Sequence, residues 1–383
     1  MTVDEPLATK LREWRRHLHA HPELSTEERA TAAFVAERLA ELGIAFASGI
    51  GGHGVVATLT RAGSARSVAL RADLDALPIP EETNLPYAST RPGVMHACGH
   101  DGHTASLLGA ASLLAADPDW RGTIRLIFQP AEEGGRGARA MLGDGLLERF
   151  PFERIFGYHN WPGLEAATVM LHSGPVMAAG QRFTITLTGK AGHAALPHLA
   201  KDPTLAAAHL ILALQSIVSR NVDPLETAVV TVGMLEAGNA PNQIPETAIL
   251  RGTFRSYRKD LHLAIGEAIR RIASGVAATF EMSADVSMTT MGQATINTEA
   301  EAALAAEAGQ AAGLTVRRDL PPSMTGEDFA AYLQVRPGAF AWIGNGPNQD
   351  GRDLHSPHYD FNDAILPAAA TWLAATARAA LAG

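Results

Sequence analysis

Apolar residues at helical spacing open the chain. Leu7, Leu11, Trp14 and Leu18 share one face, which predicts a helix over residues 6–20 that Pro22 closes. Ser25-Thr26-Glu27-Glu28 has the form of a capping box, and the periodicity beyond it predicts a second helix over about 26–42, stopped at Gly43. The pattern then shortens. Residues 55–60, 68–71, 123–128, 154–158 and 339–343 are brief apolar runs that read as strands, and 104–116 reads as a helix. Strands alternating with helices predict an α/β fold with a mostly parallel sheet and helices on both faces.

Between about 180 and 290 the rhythm changes. Residues 183–187 alternate as a half-buried strand, Pro203 opens a helix to about 219, and 227–235 and 248–254 are two more strands. A helix over 260–278 and a strand over 283–289 complete the order β-α-β-β-α-β, that of a ferredoxin-like α+β unit. The expected organisation is therefore one domain made from 1–179 and 291–383, interrupted by an inserted domain at 180–290.

At 383 residues and 46% hydrophobic content, the chain can bury a core for two such domains. Its net charge of -9, with no run of Lys or Arg, argues against a nucleic-acid partner. The first ten residues carry charges at once, and no later stretch offers the ~18 uninterrupted apolar residues of a membrane span. Neither export nor a membrane is expected. One cysteine, at 98, forms no internal disulfide, so the cytoplasm is the default compartment.

That cysteine is the chemically telling one. His96-Ala97-Cys98-Gly99-His100-Asp101-Gly102-His103 gathers a thiol, imidazoles and an acid between flexible glycines. Asp73, the pair Glu132 and Glu133, and His159 each follow or end a predicted strand, and His355 follows another. Open α/β sheets build their sites at such strand ends. Each residue alone has a structural explanation, but together they form a costly set of polar groups unless a cation binds them. A metal beside a carboxylate is the minimal equipment for hydrolysis, and of two adjacent glutamates one can ligate while the other serves as base.

Two other patterns carry less. Gly49-Ile50-Gly51-Gly52-His53-Gly54 satisfies the dinucleotide-loop spacing, with Asp73 where a ribose-binding acid would stand. The β-branched run after it opens a strand and not the helix a pyrophosphate needs, so it reads as a hairpin turn. His17, His19 and His21 alternate faces of a helix and read as a solvated helix end.

The stretches RADLDALPI (71–79), HACGHDGH (96–103), FQPAEEGGRGA (128–138), YHNWP (158–162), GKAGHAALPH (189–198), APNQIPETA (240–248), TGEDF (325–329) and LHSPHYDF (354–361) resemble the amidohydrolase branch of the aminoacylase and metallo-carboxypeptidase family. The resemblance spans nearly the whole chain. It implies two divalent ions, with Cys98 bridging and His100, Glu133, His159 and His355 completing the shell. On ligand softness Mn, Zn, Co and Ni all suit a thiolate bridge, Mn or Zn first. Glu132 would be the general base for hydroxide attack on the amide of an N-acyl amino acid, of the hippurate or N-acetyl type.

The peptidase relatives have a histidine ligand where this chain has Arg71, so Asp73, expected to support the metal ligands from behind, lacks the histidine it would orient there. The inserted domain would be a lid and dimerisation surface giving a homodimer or a dimer of dimers. From it His193 would reach the partner's site and stabilise the oxyanion, with Asn242 on the substrate carboxylate and Arg255 as a further candidate there. The alternatives are a metallo-dipeptidase or carboxypeptidase, which differs only in substrate, and a noncatalytic metal-stabilised binding protein, which would have no reason to keep Glu132.

Overall fold

A computed structural model describes residues 2–348 and 351–382. The described chain divides into two compact units, one built from residues before 177, 296–321 and 328 onward, the other from Met177–Thr295 with Pro322–Glu327.

The first unit is organised on an eight-stranded sheet. Helices α1 (Glu5–Ala20) and α2 (Arg29–Glu41) precede the strands β1 (Ala45–Ile50), β2 (Gly54–Arg61) and β3 (Ser67–Asp73). Helix α3 (His100–Ala116), β4 (Gly122–Gln129), β5 (Arg154–Pro162) and the short β6 (Val169–Met170) follow. The strand order is β1-β2-β4-β3-β5, then Gly338–Gly346, β6 and Val316–Arg317. The four central strands β4, β3, β5 and Gly338–Gly346 run parallel, while the β1–β2 hairpin lies antiparallel on one edge. β3 and Gly338–Gly346 are buried almost throughout, which is why they read as unbroken apolar runs without alternation. Residues 51–53 form the turn joining β1 to β2, so the glycine-rich stretch is a hairpin. Gly51 is required there: it has φ +65°, and a Cβ would sit 2.4 Å from the Met141 amide nitrogen.

Small residues let three helices close over the sheet. A Cβ on Gly109 of α3 would approach Ala370 Cβ to 2.9 Å and Leu11 of α1 to 3.0 Å. The helix Leu366–Ala382 packs against α3 and Glu299–Ala311. Residues 363–382 are long and apolar enough to cross a membrane by composition, yet 72% of that window is buried inside the protein, as befits a core helix apolar all round.

The second unit holds an antiparallel sheet in the order Ala228–Ala237, Thr247–Ser256, Ala179–Thr188, Ser283–Gly292. Helices Pro203–Ser216 and Lys259–Thr279 pack on it, Leu210, Leu214, Ile265 and Ile269 meeting Phe183, Ile185 and Phe254. Asp202 caps the first of these helices by accepting from Thr204 N and Leu205 N, just ahead of Pro203 at its first position.

Two local expectations fail for a shared reason: side chains read as a capping box and as a solvated helix end are taken by tertiary contacts. α2 begins at Arg29, because the capping-box side chains bond elsewhere. Ser25 Oγ donates to Asp75 (2.6 Å), and Glu28 Oε1 accepts from Thr26 N and Ala131 N (both 2.8 Å). His17 does lie at a helix end, stacked on Phe34, but His19 is fully buried. Its Nδ1 lies 2.8 Å from Asp101 Oδ2 and its Nε2 3.2 Å from Glu81 Oε1. Beside it the buried Arg15 pairs with Asp360 (2.5 Å) and Asp363 (2.9 Å) and sits over the Tyr87 ring. These bonds latch α1 onto the first turn of α3.

Burial alone would depress the His19 pKa, but the hydrogen bonds to Asp101 and Glu81 and the Asp101 charge outweigh it and raise it to about 9. A pKa raised on folding contributes stability that is whole below the unfolded value of about 6.5 and fades as pH climbs through 9. We predict that His19→Gln lowers stability by on the order of 3 kcal/mol at pH 6 and by much less at pH 10. Urea titrations at the two pH values test this, and a difference independent of pH would contradict the assignment.

Candidate metal centre and active site

The parallel strands deliver their ends to one place. β3 ends at Asp73, with Asp75 two residues on. β4 ends at Gln129, and the turn after it carries Glu132 and Glu133. β5 carries His159. Cys98 lies in the loop before α3, where Gly99 has φ +93° and a Cβ would fall 2.3 Å from Asn160 Nδ2 and 2.5 Å from the Tyr359 hydroxyl. That loop is held from both sides: Asn160 Nδ2 donates to the Cys98 carbonyl and the Tyr359 hydroxyl to Asn160 Oδ1, each at 2.7 Å. His355 adopts φ +64°, uncommon for a residue with a Cβ, and its N–H donates to the Ala97 carbonyl at 2.8 Å. Strain at such a position fits a functional site.

The donor atoms converge in overlapping triads. Cys98, His100 and His159 offer atoms within 4.8 Å of one another, as do Cys98, Glu133 and His355, and again His100, Glu132 and Glu133. Cys98 Sγ is 3.3 Å from His159 Nε2, and Glu133 Oε1 is 3.4 Å from His355 Nε2 and 3.9 Å from His100 Nε2. All six residues expected at a metal-assisted hydrolytic centre therefore stand together within the first unit. His100, Cys98 and His159 are buried, whereas His355 is exposed.

Charge at the site is unbalanced. Burial and the neighbouring Glu133, Glu132 and Asp73 push the Cys98 thiol well above its ordinary range. Burial works to depress His100, but Asp73, Asp75 and Glu133 raise it to about 10. Burial, His103 and His100 keep His159 neutral, the form that ligates. Neither ring nitrogen of His100, nor Glu133 Oε1, has a hydrogen-bond partner among the described residues, and the 3.3 Å approach of His100 Nδ1 to Asp75 Oδ1 is an ion-pair contact only. Orphaned buried imidazole and carboxylate atoms beside a thiol suit divalent cations of the borderline kind. Such ions would lower the thiol pKa and displace the His100 proton.

Asp73 sits beside this group. Its Oδ1 is 2.6 Å from His103 Nδ1, its Oδ2 accepts from Arg71 Nη1 at 2.7 Å and lies 3.6 Å from His100 Nε2. Burial works to raise its pKa, but His100, Arg71 and His103 hold it well below the usual carboxylate range. Arg71 also donates to Gln129 (2.8 Å) and Asp328 (3.0 Å), so a buried guanidinium stands as a fixed cation at the strand end. His103, whose Nε2 accepts the Asn160 N–H at 3.0 Å, and Asp75 are participants the sequence reading passed over. The repeated acid in Asp73-Leu74-Asp75 and the third imidazole of 96–103 were the available signals.

The remaining candidates belong to the second unit. Gln243 pairs with His193 in a two-stranded ladder, and Ala194 N donates to the Asn242 carbonyl at 3.0 Å, so His193 and Asn242 are neighbours, both exposed. Arg255 is half-buried and donates to the Met324 carbonyl at 3.0 Å, with burial and Arg182 lowering its pKa.

Comparison with known proteins agrees with this chemistry. The chain is 43% identical over 366 residues to an N-acetyl-L-cysteine deacetylase of Bacillus subtilis, covering 95% of this chain and 86% of the relative. It is 40% identical over 362 residues to a hippurate hydrolase of Campylobacter jejuni, covering 94% of each. Among solved structures, the Bacillus subtilis YXEP protein, a dinuclear metal binding peptidase of the M20 family, superposes with a TM-score of 0.88 at 36% identity over 99% of both chains. The model of Peptidase family M20/M25/M40 matches residues 69–379, a span that holds every metal-donor residue described above, and the chain belongs to that family.

Proposed function

We propose that this chain is a metal-dependent amidohydrolase that cleaves N-acyl amino acids of the hippurate or N-acetyl type. The observation that carries the reading is the convergence of Cys98, His100, Glu133, His159 and His355 with a second carboxylate, Glu132, beside them. The first five would hold two divalent ions, Mn or Zn in the first instance and Co or Ni by the same ligand chemistry, with Cys98 shared. When bound, the ions supply Lewis-acid charge and make a water acidic enough to lose a proton near neutral pH.

The chain's own residues do the rest. Glu132 takes the proton from the attacking water and delivers it to the amide nitrogen as the C–N bond breaks, so that a carboxylic acid and a free amino acid leave. Glu132 is held at both ends, its N–H donating to Asp75 Oδ1 at 3.0 Å and its Oε1 accepting from the Asp328 N–H at 3.3 Å. The second unit, a ferredoxin-like insert over about 180–290, serves as lid and dimer surface. In support, the strand Ala228–Ala237 is paired on one side only and exposes Met234 and Leu235, and the helix Pro203–Ser216 exposes Leu205 and Leu212. From this unit His193 stabilises the developing oxyanion, acting on the site of a partner copy, while Asn242 and Arg255 take the substrate's free carboxylate. Asp73 holds the histidines from behind.

Glu132→Gln is expected to keep metal content while turnover falls by on the order of 10² to 10⁴, and normal turnover would remove Glu132 as the base. Cys98→Ser is expected to lower metal content in elemental analysis, since a hydroxyl bridges poorly; full occupancy would reduce Cys98 to a packing residue. The substrate class is tested by amino acid release from N-acetyl, N-benzoyl and indoleacetyl amino acids and dipeptides, using metal-stripped protein reloaded with Mn²⁺ or Zn²⁺. Release from acyl amino acids is expected, and release only from dipeptides would make it a peptidase.

A further inference from the structure

β5 is buried from Ile155 to Asn160 and meets solvent again at Trp161, two residues beyond the donor candidate His159. Side chains two apart on a strand share a face, so Trp161 stands beside His159 on the side of the sheet that carries the donors. The two ring centroids are 6.2 Å apart and the planes cross at 80°. On the neighbouring strand Trp342 is in register with His159, and the indoles of Trp342 and Trp161 stack at 3.9 Å with planes 7° apart. Trp342 is 3% exposed and Trp161 half-buried, so one ring is a fixed backing and the other keeps part of its surface open, away from that backing. Among the described residues no further ring and no cation is stacked on Trp161.

The open indole lies close to the chemistry. His159 Nε2 is 3.3 Å from Cys98 Sγ, so a single imidazole separates Trp161 from the donor cluster. A ring bonded directly to a reacting carbonyl spans a gap of that kind, whereas a methyl group falls short of it. A large, rigid aromatic surface at such a place gains by covering an apolar group, and it loses little freedom in doing so, because Trp342 already holds it.

We propose that Trp161, backed by Trp342, is a specificity-determining residue: a shelf on which the acyl group of the substrate stacks, so that the preferred substrates carry an aromatic acyl group. The proposal rests on the amidohydrolase reading, which assigns the amino acid carboxylate to Asn242 and Arg255 and leaves the acyl end to the first unit. An aromatic pair gains from offset or edge contact as well as from buried area, and an acetyl group offers neither face nor edge.

The test compares N-benzoylglycine with N-acetylglycine on the metal-loaded, full-length protein, so that only the acyl group differs. The wild-type protein is expected to favour the benzoyl substrate in kcat/KM. Trp161→Leu should lower that preference by about 5- to 10-fold. Trp161→Phe, which keeps an aromatic face, should retain most of it. A preference unaltered in Trp161→Leu, or a wild-type protein that favours the acetyl substrate, overturns the proposal.

A binding measurement judges the shelf without turnover. Benzoate is titrated against the tryptophan emission of the wild-type protein, with acetate as the control. Saturable quenching by benzoate alone, largely lost in Trp161→Phe, supports the shelf; no quenching, or wild-type quenching in Trp161→Phe, overturns it. Should Trp161→Leu not fold, the benzoate titrations of wild type and Trp161→Phe decide. If the wild-type protein released glycine from neither substrate nor from any other acyl amino acid, the amidohydrolase reading would fall, and the titrations would still report on Trp161.

Discussion

Everything at the candidate centre follows from an electrostatic debt at the ends of the parallel strands. Asp73, Asp75, Glu132 and Glu133 come together beside a thiol and imidazoles, and at the buried Asp73 and Asp75 there is little water to screen the charge. The protein answers part of the charge itself. Arg71 bonds Asp73 and Asp328, and His100 is driven to hold a proton that it would shed in water at neutral pH. On the side of the cluster where Cys98, Glu133 and His355 meet, the donor atoms are placed for cations to answer the charge.

The architecture around that cluster is correspondingly rigid. Cys98 is reached through Gly99, whose lack of a Cβ admits Asn160 and Tyr359, and both of those side chains then bond the loop. α1 is tied to the start of α3 through Arg15, His19 and Asp101, immediately beside His100. The candidate donors are thus held by groups whose own conformations are fixed by further hydrogen bonds, the arrangement metal sites generally require.

Most of the frame was legible in the chain. β3, β5 and Gly338–Gly346 announce themselves because strands buried on both faces lose the apolar–polar alternation, and the residues at their ends follow from the topology of open α/β sheets. Cys98 and the histidines stood out because thiols, imidazoles and acids are rarely gathered so closely without cause. What the pattern hid were residues whose local signal had a plausible alternative use. Ser25 and Glu28 spell a helix cap, yet their side chains serve the turn 131–133. His19 alternates with two other histidines on an exposed helix end, yet it alone is drawn inward by Asp101 and Glu81. Asp75 sits two residues beyond Asp73, the acid that ends the strand. In each case the deciding partner lies 50 or more residues away, and no short window contains both halves of the bond.

His355 is donated by a loop that the chain reaches only after completing the four-stranded sheet of the second unit. Its N–H must find the Ala97 carbonyl across more than 250 residues of sequence. During synthesis Cys98 and its neighbouring acids leave the ribosome long before that loop does. Contacts of such long range also close late in folding, since their loop entropy is met last. The donor set of the nascent chain is therefore incomplete until the loop that carries His355 has emerged and its N–H has closed on the Ala97 carbonyl.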